Sequence, residues 1–291
     1  MKGICNGEKM INIGIVGNGF VGSAIAAGFA LHANVMIYDK DPLRATHGLS
    51  EVLEQCEFIF VGVPTPMESV ENGQIDLTIL DNVMAEISSL NKDNENIIII
   101  KSTVVPGTTQ RYIEKYSDLN IVFNPEFLTE RTARLDFINA SRIVLGGSHE
   151  LCERVEKLYR IRFIATPIIK TDAESAEFIK YMCNCFFATK VAYMNEMYQM
   201  ARAHGLDWGT IMAGFLSDGR IGNSHTDVPG HDGDYGYGGK CFPKDINAFI
   251  KYFEFNHIEP TLLKASWSKN LQVRQNHDWL KIEGAVTNKK E

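Results

Sequence analysis

The apolar run Ile11–Val16 passes directly into Gly17-Asn18-Gly19-Phe20-Val21-Gly22, which opens a helical pattern at Phe20–Phe29, and Asp39 follows the next apolar run, Val35–Tyr38. No other stretch restricts the fold so tightly. Gly17 permits a tight turn, Gly19 lets backbone approach a pyrophosphate, Gly22 allows close helix–strand packing, and the helix N-terminus faces phosphate charge. Asp39 is placed to accept hydrogen bonds from both adenosine ribose hydroxyls. A carboxylate there repels a 2′-phosphate, so the expected cofactor is NAD, with Arg44 nearby keeping NADP open. The alternative is a glycine-rich turn that binds nothing.

The rhythm continues to about Ile169. Phe58–Val61, Ile97–Lys101, Ile121–Phe123 and Ile143–Leu145 read as further strands, and Leu77–Leu90, Thr108–Tyr116 and Glu150–Leu158 as helices. Continuous Ile, Val and Phe runs, rather than apolar/polar alternation, are those of strands covered by helices on both faces. The expected class is α/β, a Rossmann-type doubly wound parallel sheet followed by a mostly helical domain. At 291 residues the chain exceeds the usual size of one core. The reading is two domains, an NAD-binding one over 10–170 and a helical dimerisation and catalytic-cysteine one over 171–285.

Beyond Thr171 the β pattern stops. Asp172–His204 has helical spacing, with Phe178, Met182, Phe186, Val191, Met194 and Met197 among its apolar positions and Gly205 as its stop. So long and apolar a helix is expected to be buried on several sides, as the core of its domain and a homodimer seam. Gly214–Lys240 is rich in Gly, Asp and His without periodicity and reads as a long functional loop. Ile246–Phe255 and Thr261–Gln275 return to helix, and Val286–Glu291 reads as a frayed tail.

Thirty-six acids against twenty-nine bases give a net charge of −7, which argues against a general nucleic-acid binder. No apolar run is long enough to span a membrane, and Met1–Met10 is polar without a signal core, so a cytoplasmic location is expected. Six cysteines without a CxxC pair suggest reduced thiols. His231, Asp232 and Asp234 fit no EF-hand or zinc spacing, and no metal is expected.

One cysteine stands apart. In Gly236-Tyr237-Gly238-Gly239-Lys240-Cys241-Phe242-Pro243-Lys244-Asp245, glycines precede Cys241 and a proline suited to helix position N1 follows it. At a helix N-terminus, beside Lys240 and Lys244, the thiol is biased toward the nucleophilic thiolate. Asp245, one turn on, is placed as proton acceptor or water holder. The bland alternative is a buried loop cysteine.

Together with Val61-Gly62-Val63-Pro64-Thr65-Pro66, Lys101-Ser102-Thr103-Val104-Val105-Pro106-Gly107-Thr108, Asn124-Pro125-Glu126-Phe127-Leu128-Thr129-Glu130 and Glu177-Phe178-Ile179-Lys180-Tyr181-Met182-Cys183-Asn184, these segments resemble the nucleotide-sugar 6-dehydrogenase family, from about Met10 to Gln275. The resemblance implies oxidation of a primary alcohol to a carboxylate by two hydride transfers to NAD⁺, through a thiohemiacetal and a thioester on Cys241. It further implies that Lys180 stabilises the alkoxide or oxyanion with Asn184 beside it, that Asp245 and Thr103 hold a water, and that Glu126 is the base for thioester hydrolysis. Glu130 then lies beside the nicotinamide, and Val63, Pro64, Thr65, Thr103 and Lys244 join Gly17–Gly22 and Asp39 around the cofactor. Phe127, Leu128, Arg220, Tyr235, Tyr237 and Gly238 join the substrate side with Glu126, Lys180, Asn184 and Cys241. Phe186–Glu196 looks closer to the UDP-glucose branch, making a UDP-glucose-like sugar nucleotide the expected substrate.

The family's usual chain continues into a further nucleotide-binding α/β domain, which delivers an arginine across the dimer. This sequence ends short of it, and Lys240 and Arg131 stand where Ser or Gly is expected. Either the chain is a compact enzyme, whose own Lys and Arg or a separate chain replace that domain, or it is a fragment. A non-catalytic NAD-binding dimerisation module is the competing function. A two-domain hydroxyacid dehydrogenase, which needs no cysteine, is a third.

Overall fold

Short runs dominated by Ile, Val and Phe become the strands of one sheet in the computed structural model, which describes residues 10–91 and 95–287. Strands β1 (Asn12–Val16), β2 (Asn34–Tyr38), β3 (Phe58–Val61), β4 (Ile97–Ile100), β5 (Asn120–Phe123), β6 (Ile143–Gly146) and β7 (Ile168–Thr171) lie in the order β2-β1-β3-β4-β5-β6-β7. Helices α1 (Phe20–Phe29), α2 (Leu49–Gln55), α3 (Thr78–Leu90), α4 (Thr108–Lys115), α5 (Ala133–Ile138) and α6 (His149–Arg160) connect them. Successive residues of β3 and β4 point to opposite faces, so Ile59, Val61, Ile98 and Ile100 enter one apolar cluster and Phe58, Phe60, Ile97 and Ile99 the other. Both faces are thereby covered, as the unbroken apolar runs require.

The sheet is parallel except at one place. β5 meets β6 antiparallel, Phe123 opposite Gly146, the one such pairing among the described residues in the otherwise parallel sheet that the sequence predicts. A parallel return needs a crossover helix. Here the intervening α5 packs instead on α1, where a Cβ on Gly28 would lie 2.3 Å from the Phe137 ring. The structure also adds α2, α5 and β7, which the apolar runs and helical patterns above do not predict.

The described residues divide into two compact units, one comprising residues through Thr65 with Leu77–Lys180, the other Pro66–Asp76 with residues from Tyr181 onward. Helix α7 (Ala173–Ala203) is capped at its start by Asp172, whose side chain accepts from the Ser175 backbone N–H and hydroxyl, each at 2.7 Å. Gly205 beyond its end has φ +66°, a left-handed stop. The second unit adds α8 (Trp208–Leu216), α9 (Phe242–Phe255) and α10 (Thr261–Val273).

Three expectations change here. Helix α8 takes the first residues of the anticipated Gly214–Lys240 loop. Of the apolar positions singled out on α7, only Met194 is fully buried. Phe178, Met182, Phe186 and Met197 are exposed, whereas Glu177, Lys180, Asn184 and Asn195 are buried. The buried side of the helix therefore mixes these polar groups with small apolar residues and Tyr181, while several of its large apolar side chains face outward. Finally, Val286 is not frayed but 5% exposed, bridging Met67 beside Trp279. Thr287 N–H donates to Met67 O at 2.8 Å. Residues 288–291 of the supposed tail, and Cys5, lie outside the described residues.

Candidate active site

In the order β2-β1-β3 the chain reverses direction across the sheet at β1, and ligands of open α/β sheets bind outside the carboxyl ends of strands at such a switch point. Gly17 follows β1 there with φ +93°, and a Cβ on it would lie 2.6 Å from Gly62 O. Gly22 is equally constrained, its Cβ position 2.1 Å from Gly17 O, while nothing lies within 4 Å of that position on Gly19. The open position is the one through which a pyrophosphate would approach the N-terminus of α1, which Phe20 and Val21 begin. Asp39 is half-buried. Its Oδ2 accepts from Asn18 N–H at 2.7 Å and its Oδ1 from Asp41 N–H at 2.9 Å, leaving a lone pair on each oxygen for a ribose hydroxyl. These residues fit a dinucleotide.

The loops after β3 and β4 are tied together. Ser102 Oγ accepts from Val63 N–H at 3.0 Å and donates to Val63 O, and Thr65 Oγ1 donates to Thr103 O at 2.8 Å. Pro64 is exposed and Thr103 half-buried at this rim. After β5, Glu126 is buried beside Lys180 of α7, with Lys180 Nζ 2.7 Å from Glu126 Oε1 and each side chain at most 5% exposed. Glu126 Oε2 accepts from Leu128 N–H at 2.7 Å. Phe127 has the Arg142 guanidinium over its ring at 4.0 Å and Lys180 Nζ at 5.7 Å. Glu130 and Arg131 are exposed in the following 3-10 turn.

A buried ion pair is held only where geometry offsets desolvation, and removing one partner costs about 3–5 kcal/mol. Behind it sits a buried lysine of the Lys101–Thr108 segment that the sequence pattern does not single out. Lys101, 4% exposed, donates to Asn124 Oδ1 at 2.8 Å and Pro125 O at 3.3 Å. Asn124 Oδ1 also accepts from Tyr159 Oη at 2.5 Å, and its Nδ2 donates to Val144 O at 2.7 Å.

In the second unit Cys241 is the half-buried N-cap of α9. Phe242 takes the first helical position and Pro243 the second, one later than expected. Asp245 is 1% exposed. Its Oδ2 accepts from Asn184 Nδ2 and its Oδ1 pairs with Lys244 Nζ, both at 2.5 Å. The structure thus brings Asn184, Lys244 and Asp245 together and puts Cys241 one turn before Asp245, whose N–H donates to Cys241 O at 2.8 Å.

The glycine segment before Cys241 is clamped by residues that sequence reasoning missed. Asn270 accepts from Tyr237 N–H at 2.7 Å and donates to Tyr237 O at 2.9 Å, Asn195 Oδ1 accepts from Gly236 N–H, and Asp278 accepts from Gly239 N–H. Buried Arg274 ties Asp232 at 2.7 Å to Asp278 at 3.2 Å, and a Cβ on Gly238 would strike it at 2.3 Å. Tyr237 is 4% exposed, its ring packed near Phe242 and Trp267, so its backbone rather than its ring lines the segment. Tyr235 is half-buried, with Arg202 donating to its hydroxyl at 3.3 Å. Arg220 is exposed and doubly bonded to Asp218, at 2.9 and 2.6 Å. The signals for Asn195, Asn270 and Arg274 in the sequence are only polar residues within helical patterns, which ordinarily face solvent.

The chain matches the NAD binding domain of the UDP-glucose/GDP-mannose dehydrogenase family over residues 37–163 and that family's central domain over residues 174–272. It is 31% identical to UDP-glucose 6-dehydrogenase AglM of Haloferax volcanii, over 89% of this chain and 69% of that protein. It is 32% identical to UDP-glucose 6-dehydrogenase of Rickettsia felis, over 91% of this chain and 66% of the relative, so it spans about two thirds of these relatives. A UDP-glucose dehydrogenase structure from Pyrobaculum islandicum superposes with TM-score 0.78 at 27% identity, covering 93% of this chain and 70% of that one.

Proposed function

The chain belongs to the UDP-glucose/GDP-mannose dehydrogenase family, and on that premise we propose that it oxidises the C6 primary alcohol of a nucleotide sugar to the carboxylate, UDP-glucose to UDP-glucuronate being the first candidate. Two NAD⁺ molecules, bound in succession, would each supply the acceptor for one hydride. Gly17–Gly22, Asp39, Val63, Pro64, Thr65, Thr103, Glu130 and Lys244 would hold each in turn.

As the first hydride leaves, the substrate hydroxyl gives its proton to a water held by Asp245 and Thr103, while the Lys180 ammonium donates a hydrogen bond to the developing alkoxide. Cys241 thiolate then adds to the aldehyde carbon, forming a C–S bond and a thiohemiacetal oxyanion that Lys180 and Asn184 stabilise. Loss of the second hydride leaves a thioester. Glu126 takes a proton from water, the hydroxide adds to the thioester carbon, and the C–S bond breaks to return the Cys241 thiolate. Phe127, Leu128, Arg220, Tyr235, Tyr237 and Gly238 contact the nucleotide sugar.

The observation that carries this reading is the place of Cys241: a half-buried thiol at the N-cap of α9, one turn from a carboxylate already held by Asn184 and Lys244. A hydroxyacid dehydrogenase needs no such group. We further propose residues 10–170 as the NAD-binding domain and 171–285 as the helical catalytic-cysteine and homodimerisation domain. The cytoplasm is the counterpart proposal for location. No helix among the described residues is long and apolar enough to cross a membrane.

The test is NADH formed per sugar consumed, with limiting UDP-glucose. Two per sugar, abolished in Cys241→Ser, is expected. NAD binding without turnover of UDP-glucose or GDP-mannose leaves the non-catalytic dimerisation module as the better reading.

A further inference from the structure

We propose that Lys101 is a positioning residue for Glu126, acting from the end of β4 through the Asn124-Pro125 turn to hold the carboxylate against Lys180. Buried ammonium groups are costly, and a side chain that only fills space at the end of an Ile-rich strand would be apolar. Lys101 spends its hydrogen bonds on two neutral oxygens, Asn124 Oδ1 and Pro125 O, in the two residues that immediately precede Glu126. Asn124 is fixed on its other sides by Tyr159 and Val144, and Pro125 has a restricted φ. Glu126 therefore leaves a turn whose backbone cannot drift, and its two oxygens reach Lys180 and Leu128 N–H, each at 2.7 Å.

The charged groups facing Lys101 are Glu126 and Lys180, with the Tyr159 hydroxyl behind Asn124. Burial, the largest effect, pushes the Lys101 ammonium down to about 7; Glu126 opposes that and Lys180 adds to it. A neutral amine still has two N–H groups for the two oxygens, so the hold survives on both sides of neutrality. What changes with pH is a positive charge beside the Glu126–Lys180 pair.

The catalytic consequence rests on the proposed dehydrogenase reading, but the first measurement does not. In Lys101→Met, hydrogen exchange of the Leu128 amide, which reports whether Glu126 is in place, should quicken roughly 10-fold or more while the Ile98 amide in β4 keeps its wild-type rate. Lys101→Ala should behave alike, and added propylamine should return Leu128 protection toward wild type. Unchanged Leu128 exchange in either variant overturns the proposal, as does loss of protection that propylamine leaves untouched. With turnover established, Lys101→Met should lower kcat by about 10- to 100-fold. The KM for NAD⁺ should be unaltered, and the wild-type inflection of the pH–rate profile near pH 7 should vanish. A changed KM with wild-type kcat would also overturn it.

Discussion

Lys180 Nζ lies 2.7 Å from Glu126 Oε1, and the two side chains are 4% and 5% exposed. The group proposed to stabilise an oxyanion is thus neutralised by the group proposed to activate water. Glu126→Gln leaves Lys180 buried without its counter-charge, and chemical unfolding should show a loss of about 3–5 kcal/mol. The same variant should stall after the second hydride. Intact mass after mixing with NAD⁺ and UDP-glucose should then show an acyl adduct on Cys241, and an unmodified mass would count against the thioester.

Glu177 of α7 accepts the Gly107 and Thr109 backbone N–H groups at 2.7 Å each, at the start of α4. Burial, stronger than these hydrogen bonds, raises its carboxyl to about 7. The folded state holds this proton more tightly than the unfolded chain, so its contribution is present below pH 4.5 and lost as pH rises to 7, about 3 kcal/mol in all. Lys101 acts oppositely: its contribution is present above pH 10.5 and lost as pH falls to about 7. Wild type minus Glu177→Gln stability should therefore fall between pH 4.5 and 7, and wild type minus Lys101→Met should rise between pH 7 and 10.5. Flat differences in urea unfolding would contradict both.

Asn270 satisfies both backbone groups of Tyr237. Asn270→Ala leaves a buried donor and acceptor unpaired, at about 1–3 kcal/mol each. A fall in urea midpoint with turnover reduced further than the unfolded fraction explains is expected. Unaltered stability would mean that water replaces the clamp.

Burial pushes the thiols of Cys56 and Cys152 up, to about 12 and about 11, and Cys185 well above its ordinary value. Cys241 is half-buried at a helix start. Iodoacetamide near neutral pH should therefore label Cys241 before those three, by peptide mass. Labelling of Cys56 or Cys152 first would refute its nucleophilic role.

Met182, Phe186, Tyr193 and Met200 of α7 are between 52% and 63% exposed and, spaced by four, seven and seven residues, form one helical stripe. If that stripe is the proposed homodimer seam, Phe186→Glu should sediment as a monomer where wild type sediments as a dimer. A wild-type monomer would sink the seam.

Local rules decided what the sequence alone determined. Gly17, Gly19 and Gly22 each hold the conformation or clearance that the turn demands, because φ and Cβ clearance are set within a few residues. The strands likewise follow from apolar runs too dense to leave a face in water. Cys241 at a helix start was legible from the glycines before it and Pro243 after it.

Tertiary structure alone decided where polar groups turn inward. The α7 pattern marks Phe178, Met182 and Phe186 for burial, yet Glu177, Lys180 and Asn184 are the buried ones, because their partners come from segments far away in sequence. The same holds for Lys101 beneath Asn124 and for Arg274 paired with Asp232, and the apolar Val286 likewise meets Met67 only in the folded chain. Periodicity reports which side chains favour water. A desolvated ion or amide is tolerated only when the folded chain returns a partner to it, and no window of neighbouring residues contains that partner.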